Sequence, residues 1–190
     1  RPVEREVVEK CLDLALQAPT GSNLQGWRFV IVSDAEKRKK IADLYRKAFQ
    51  VYAKAPNPHQ PTDESDPRVQ QRDKVVTSAV YLAENLWRAP LLVIPCYEGR
   101  VEDQGVLAQA SFYGSILPAA WSFMLALRSR GLGTAWTTLH LMHEKEAASI
   151  LGIPDTVTQT CLLPVAYFQG EDFQPAKRLP VQKVISYDSW

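Results

Sequence analysis

The stretch Pro19-Thr20-Gly21-Ser22-Asn23-Leu24-Gln25-Gly26-Trp27 runs straight into Arg28-Phe29-Val30-Ile31-Val32, and this join sets how the neighbouring elements alternate. The second segment is rich in β-branched residues and reads as a strand. Upstream, Val7, Val8, Cys11, Leu12, Ala15 and Leu16 recur at helical spacing across residues 3–18, with Pro2 suited to the first turn and Pro19 ending the helix. The quoted stretch is therefore a helix-to-strand corner, dense in small and hydrogen-bonding residues, where backbone amides and hydroxyls can face a flat polar ligand. An ordinary polar loop has the same composition, so the corner alone does not decide function.

Alternation continues downstream. Ser33-Asp34-Ala35-Glu36 has the spacing of a capping box and opens a basic amphipathic helix to about Phe49. Residues 56–67 hold four prolines and three carboxylates and read as a lid-like loop. Helical periodicity returns over residues 69–87, Ala89-Pro90 closes it, and Leu91-Leu92-Val93-Ile94 reads as a strand buried on both faces. Residues 109–130 form a mostly apolar helix in which Pro118 marks either a kink or a second start capped by Ser115, with Gly131 as a left-handed cap. Residues 134–139 are strand-like, 144–151 form a short helix stopped by Gly152 and Pro154, and 160–168 read as another strand. With no internal repeat and irregular connections, the chain reads as one α+β domain over residues 1–190, ending in an arm over 170–190.

Composition narrows the function. At 190 residues, 46% hydrophobic and 23% charged, the chain fits a globular domain rather than a disordered, collagen-like or coiled-coil one. A formal net charge of +1 gives no case for nucleic acid or an anionic membrane, which leaves a small molecule as the expected partner. The apolar stretch 116–127 is interrupted by Pro118 and Ser122 and is shorter than the ~20 residues that span a bilayer. No secretory signal opens the sequence, so the expected compartment is the cytoplasm. Cys11, Cys96 and Cys161 are odd in number and set among apolar neighbours, as reduced core thiols are.

Most chemical motifs are missing. Gly131-Leu132-Gly133 follows a helix and precedes a strand, the reverse of the order that seats a pyrophosphate on a helix N-terminus. Neither a phosphate-binding Gly-x-x-x-x-Gly-Lys-Ser/Thr loop nor a Gly-x-Ser-x-Gly elbow occurs. His140 and His143 lack a third ligand at metal spacing, so no metal is expected, and the two read as a surface pair between a strand end and a helix start. Trp136-Thr137-Thr138 sets two hydroxyls at a strand end, which β-propensity also explains, and Lys177-Arg178 is a basic pair in a Pro-rich tail, which solvation also explains.

Taken in order, these segments resemble the flavin-dependent nitroreductase family across nearly the whole chain. Residues 18–29 are similar to its Ala-Pro-Ser-x-x-Asn-x-Gln-Pro-Trp-x-Phe corner, with Gly26 where the family has Pro, a change that would loosen the turn. Gly131-Leu132-Gly133-Thr134-Ala135-Trp136 resembles its Gly-Leu-Gly-[Ser/Thr]-x-Trp segment, followed by Leu151-Gly152-Ile153-Pro154, and Arg178-Leu179-Pro180 resembles its C-terminal signature. The resemblance implies an FMN-containing homodimer with two active sites at the subunit interface. It implies that Pro19, Thr20, Ser22 and Asn23 line the flavin or its substrate, that Trp136, Thr137 and Thr138 lie along the flavin edge, and that Arg178, with Lys177, binds the phosphate. The family's Arg-Arg-Ser-x-Arg cluster precedes the part that Arg1-Pro2-Val3 matches, which implies weaker FMN binding without it.

The reaction implied is hydride transfer from NADH or NADPH to flavin and onward to a nitroaromatic, a quinone or another electron-poor acceptor, with no catalytic side chain required. One rival is a reductive dehalogenase resembling iodotyrosine deiodinase, which needs a charged clamp in its lid; the lid-like loop has no Lys or Arg before Arg68. Another is a non-catalytic flavin-binding dimeric module. The arm carries Phe173, Leu179, Val181, Val184, Ile185, Tyr187 and Trp190, which need a surface, and a second subunit centred on the 116–127 helix with Trp121 and Phe123 is expected to supply it.

Overall fold

One strand buried on both faces organises the chain. The computed structural model describes residues 1–56, 61–170 and 173–190. Its elements are α1 (Arg5–Ala15), β1 (Trp27–Val32), α2 (Ala35–Tyr52), α3 (Pro67–Gln70), α4 (Arg72–Asn85), β2 (Leu91–Glu98), α5 (Val106–Arg128), β3 (Leu132–Thr134), α6 (Glu144–Leu151), β4 (Val157–Gln159) and β5 (Leu163–Tyr167). In β2 every residue but the terminal Glu98 is buried. It pairs antiparallel with β1 along one flank and with β5 and then β4 along the other, and β3 completes the sheet against β5.

Leu91 and Val93 of β2 point into a core made with α1 and α5, where Val8, Cys11, Phe123 and Leu127 meet. Leu92 and Ile94 point into the opposite core, made with α2, α4 and the turn after it, and α6, around Ile41, Ala83, Leu86 and Ala147. The result is a sheet between two helical layers, the α+β arrangement expected from the interleaved pattern. All three cysteines are buried and free, and burial pushes the Cys96 and Cys161 thiols up to about 12. They are inert thiols, not nucleophiles.

Several expectations need correction. Residues 160–168 are not one strand. β2 places Ile94 and Pro95 between Val93, paired with Leu163, and Cys96, paired with Gln159, so two residues face the three of Thr160, Cys161 and Leu162. That extra residue is a bulge. Pro95 has no N–H to give the ladder, and its carbonyl instead accepts both the Thr160 amide at 3.0 Å and the Thr160 hydroxyl at 2.8 Å. β3 is also earlier than the 134–139 expected: it spans Leu132–Thr134, and the chain touches the sheet again only where Thr137 bridges Leu162.

α5 is one continuous helix, with Pro118 inside it and Ser115 as an interior residue rather than a cap. Gly114, four residues before Pro118, has open space where a Cβ would be. Twenty-three residues long, with a window of mean hydropathy 1.3, α5 is by length and composition able to cross a membrane, which the shorter 116–127 stretch was not expected to be. Here its buried residues form the core over the sheet. α1 begins after Glu4, so Pro2 precedes its first turn. Residues 57–60 of the expected lid lie outside the described residues; beyond them α3 opens on Asp66. Gly131 and Gly152 take the left-handed backbone at φ +76° and +72° that their cap positions require.

The cap of α2 is Asp34, whose carboxylate accepts the Lys37 amide at 2.8 Å, not the Ser33 of the expected box. Replacing Asp34 by Ala should therefore cost about 1 kcal/mol in urea unfolding. Ser33→Ala should cost less than half of that, and the reverse order would return the cap to Ser33.

Candidate functional site

The corner is a strained loop held from beneath. Ser22, Asn23 and Gln25 have positive φ of 51°, 54° and 51°. Each non-glycine residue there costs on the order of 1 kcal/mol, so the surroundings must impose the shape. The Ser115 hydroxyl of α5 accepts the Gly21 amide at 2.9 Å and donates to the Ser111 carbonyl at 2.7 Å. The Ser115 carbonyl accepts the Trp27 indole N–H at 2.7 Å. Within the loop, the Thr20 hydroxyl accepts the Gln25 amide at 3.1 Å, and the Gln25 side chain donates to the Asn23 carboxamide oxygen at 3.0 Å.

Two glycines let the loop seat closely. A Cβ on Gly21 would stand 2.5 Å from the Ser111 hydroxyl, and one on Gly26 would stand 3.1 Å from the Tyr97 ring. Beside Gly26, where a looser turn was expected, the Tyr97 ring fills the space that a side chain would take. Tyr97 in turn packs edge-on against Phe112 at 4.9 Å. The loop is fixed at its base while Ser22, Asn23, Leu24 and Gln25 face outward. Beneath Gly21 and Leu24 lies a cleft of about 230 Å³ lined also by Ser111, Ser115 and Tyr97, whose hydroxyl is buried and unpartnered.

The second group divides. Thr137 is buried, and its hydroxyl donates to the Leu162 carbonyl at 2.8 Å while the two backbones exchange hydrogen bonds. That hydroxyl is committed to holding the strand end at the bulge. Trp136 and Thr138 are exposed on either side of it. The third group, Lys177 and Arg178, is exposed on the tail and forms no ion pair among the described residues; the Lys177 carbonyl accepts Gln71 at 3.4 Å, which lays the tail against the α3–α4 junction. Among the described residues of one chain, neither of the two cavities beside these groups is lined by all three. Gly21 and Leu24 of the corner line the small cleft, Lys177 and Arg178 line a separate space beside α2 and α4, and Trp136 to Thr138 line neither.

Charges near the corner are mutually satisfied. Arg28 pairs with Glu98, and Arg100 pairs with Glu102 and with Glu144, the last at 2.8 Å. The Arg100 hydrogen bond holds the Glu144 carboxyl below its ordinary range. His140, expected at the surface, is instead fully buried with both ring nitrogens unpartnered, and burial lowers it to about 4, so it is neutral at pH 7. Its helical turn tucks it under α2, which the sequence signals only through the apolar neighbours Leu139 and Leu141. Among the described residues no group of three or more His, Cys, Asp or Glu is placed to hold a metal. Sequence reasoning weighed Ser115 only as a helix cap and missed Tyr97; the signal for each is a polar group in a mostly apolar helix or strand.

The Ser115 clamp can be tested directly. Ser115→Ala leaves the Gly21 amide without its acceptor, so stability should fall by about 1–2 kcal/mol and exchange at the Gly21 amide should quicken at least tenfold. Unchanged Gly21 protection would show that the loop keeps its shape without the clamp.

Three similar proteins place this geometry. A 5,6-dimethylbenzimidazole synthase of Rhodospirillum rubrum is 32% identical over 143 residues, which cover 73% of this chain and 61% of that protein. An NADH dehydrogenase of Thermus thermophilus is 24% identical over 197 residues, covering 97% of this chain and 86% of that one. The crystal structure of an oxidised iodotyrosine deiodinase bound to FMN and 3-iodo-L-tyrosine superposes with a TM-score of 0.71 over 100% of this chain and 91% of its own, at 21% identity, and so shares the fold. The sequence pattern of the nitroreductase family matches residues 1–167, and the chain belongs to that family.

Proposed function

We propose that this chain is an FMN-dependent oxidoreductase that accepts hydride from NADH or NADPH and reduces an electron-poor acceptor such as a nitroaromatic or a quinone, working as a homodimer. The observation that carries this reading is the corner: three non-glycine residues held at positive φ so that polar side chains face outward from a rigid base. Strain of this kind concentrates where a ligand must be met by fixed groups. Family membership and the names of relatives support the oxidoreductase class.

The donor set suits an FMN. When bound, the flavin supplies the hydride and electron transfer that no side chain here offers. Arg178 presents a planar guanidinium with no carboxylate paired to it among the described residues, which suits a phosphate held through two parallel hydrogen bonds, with Lys177 adding charge. Pro19, Thr20, Ser22 and Asn23 present the face for the ring or the substrate stacked on it. Trp136 and Thr138, both exposed, would flank the ring edge. Thr137 positions that edge through Leu162, so the available hydroxyl is that of Thr138. A dehalogenating reaction that leans on a side-chain hydroxyl would have Thr138 alone to use.

Two copies reconcile these roles with the single-chain geometry. Corner and cationic tail line different cavities of one chain, and a second copy would bring one chain's corner to the other's Arg178. Exposed apolar side chains mark where it would sit: Trp121 and Leu125 of α5 are 54% and 53% exposed, and Val181, Val184, Ile185 and Tyr187 of the tail are uncovered.

The test is optical. With FMN added, NADH or NADPH should bleach the flavin without oxygen, and a nitroaromatic or quinone should restore the colour. Arg178→Ala should weaken FMN at least tenfold, the loss of one charge-assisted bond of about 1.5–3 kcal/mol, while saturating FMN restores bleaching. Failure of both nucleotides to bleach bound flavin would remove the oxidoreductase reading, and unchanged FMN affinity would remove Arg178 from the phosphate.

A further inference from the structure

A cavity of about 1020 Å³ opens between the end of α2, the α3–α4 junction and the tail. Phe49 and Tyr52 of α2, Val75 and Val76 of α4, and Leu179 of the tail give it apolar walls. Arg68, Arg72, Lys177 and Arg178 line it as well, and among the described residues no carboxylate does. Arg68 is partnered by Asp66 at 2.6 Å. Arg72 is not balanced in this way: one terminal nitrogen donates to the Pro61 carbonyl at 3.0 Å, and its Nε is buried without a partner.

The cations and the apolar wall are arranged in sequence along α4. Arg72 stands in the first turn, Val75 and Val76 in the next, and Ala79 in the turn after. At 1.5 Å per residue, Arg72 to Ala79 spans about 10 Å. The tail, laid down where the Gln71 side chain reaches the Lys177 carbonyl, brings Lys177 and Arg178 to the Arg72 end. A space with concentrated positive charge at one end and aliphatic and aromatic surface along about 10 Å is complementary to an anion with an apolar body. A neutral ligand of the same shape would cover the Arg72, Lys177 and Arg178 cations without supplying a counter-charge, and burial of an unpaired charged group is disfavoured.

We infer that this cavity binds an apolar organic acid, its carboxylate taken by Arg72 and its body by the walls of α2 and α4. That such an acid belongs to the class of the electron acceptor rests on the flavin reading above, since it lies beside Arg178. Its binding does not.

The probes are 2-naphthoate and its neutral counterpart 2-naphthalenemethanol, titrated calorimetrically into the full chain without FMN. Naphthoate should bind at least tenfold more tightly than the alcohol. Arg72→Met should abolish that preference while leaving FMN affinity, read by fluorescence quenching, unchanged. Val76→Trp, which fills the cavity from an exposed position, should weaken both probes. Equal affinity for acid and alcohol, a preference that survives Arg72→Met, or binding undiminished in Val76→Trp would overturn the site. A parallel fall in FMN affinity in Arg72→Met would assign the cavity to the cofactor, and loss of naphthoate binding as the chain self-associates would assign it to a second copy. Tight naphthoate binding in a protein whose flavin is never bleached would refute the oxidoreductase reading and leave the site standing.

Discussion

Burial of β2 on both faces is the constraint from which the rest follows. A strand whose side chains from Leu91 to Tyr97 all leave water needs a helical layer on each side and a paired strand on each flank. α5 supplies the centre of one layer, and because its Ser115 faces the start of β1, the same packing that buries Phe123 and Ile116 sets the base of the corner. On the other flank the interruption at Pro95 forces the bulge at 160–162, and that bulge offers the Leu162 carbonyl to Thr137. Both ends of the proposed flavin surface are thus tied to one strand.

The fold leaves two debts on its surface. The corner holds three non-glycine residues at positive φ, and the tail and α5 expose aromatic and aliphatic side chains. Burying a large apolar side chain is worth roughly 1.5–3 kcal/mol, so covering several such residues works in favour of the proposed association. A ligand-binding dimer accounts for both features. Phe173 is the part of the tail already anchored, stacked at 4.8 Å against Phe168 above Gly133, so the arm departs from a fixed point.

Much of this was legible in the sequence because it depends on local pattern. The double burial of β2 shows as an unbroken apolar run, the end of α6 at Gly152 as a backbone requirement, and the family as segments in register from residue 18 to Arg178. What could not be read depends on pairing across distant segments. The bulge arises because Pro95 faces Thr160, sixty-five residues away. Asp34 caps α2 in place of its neighbour Ser33, and the two are indistinguishable by composition. His140 is buried because of where its turn packs, and Thr137 differs from Thr138 only in which one meets Leu162. Gly26 looks permissive until the Tyr97 ring is placed beside it.

The claim that binds these observations together is that the flavin surface is completed only by a second copy. Sedimentation velocity with FMN absorbance, run as the protein is diluted through its self-association range, tests it most directly. The account predicts that flavin travels with the dimer, at one per chain, and is released as dimers dissociate. Flavin that sediments with the monomer at undiminished occupancy would contradict it.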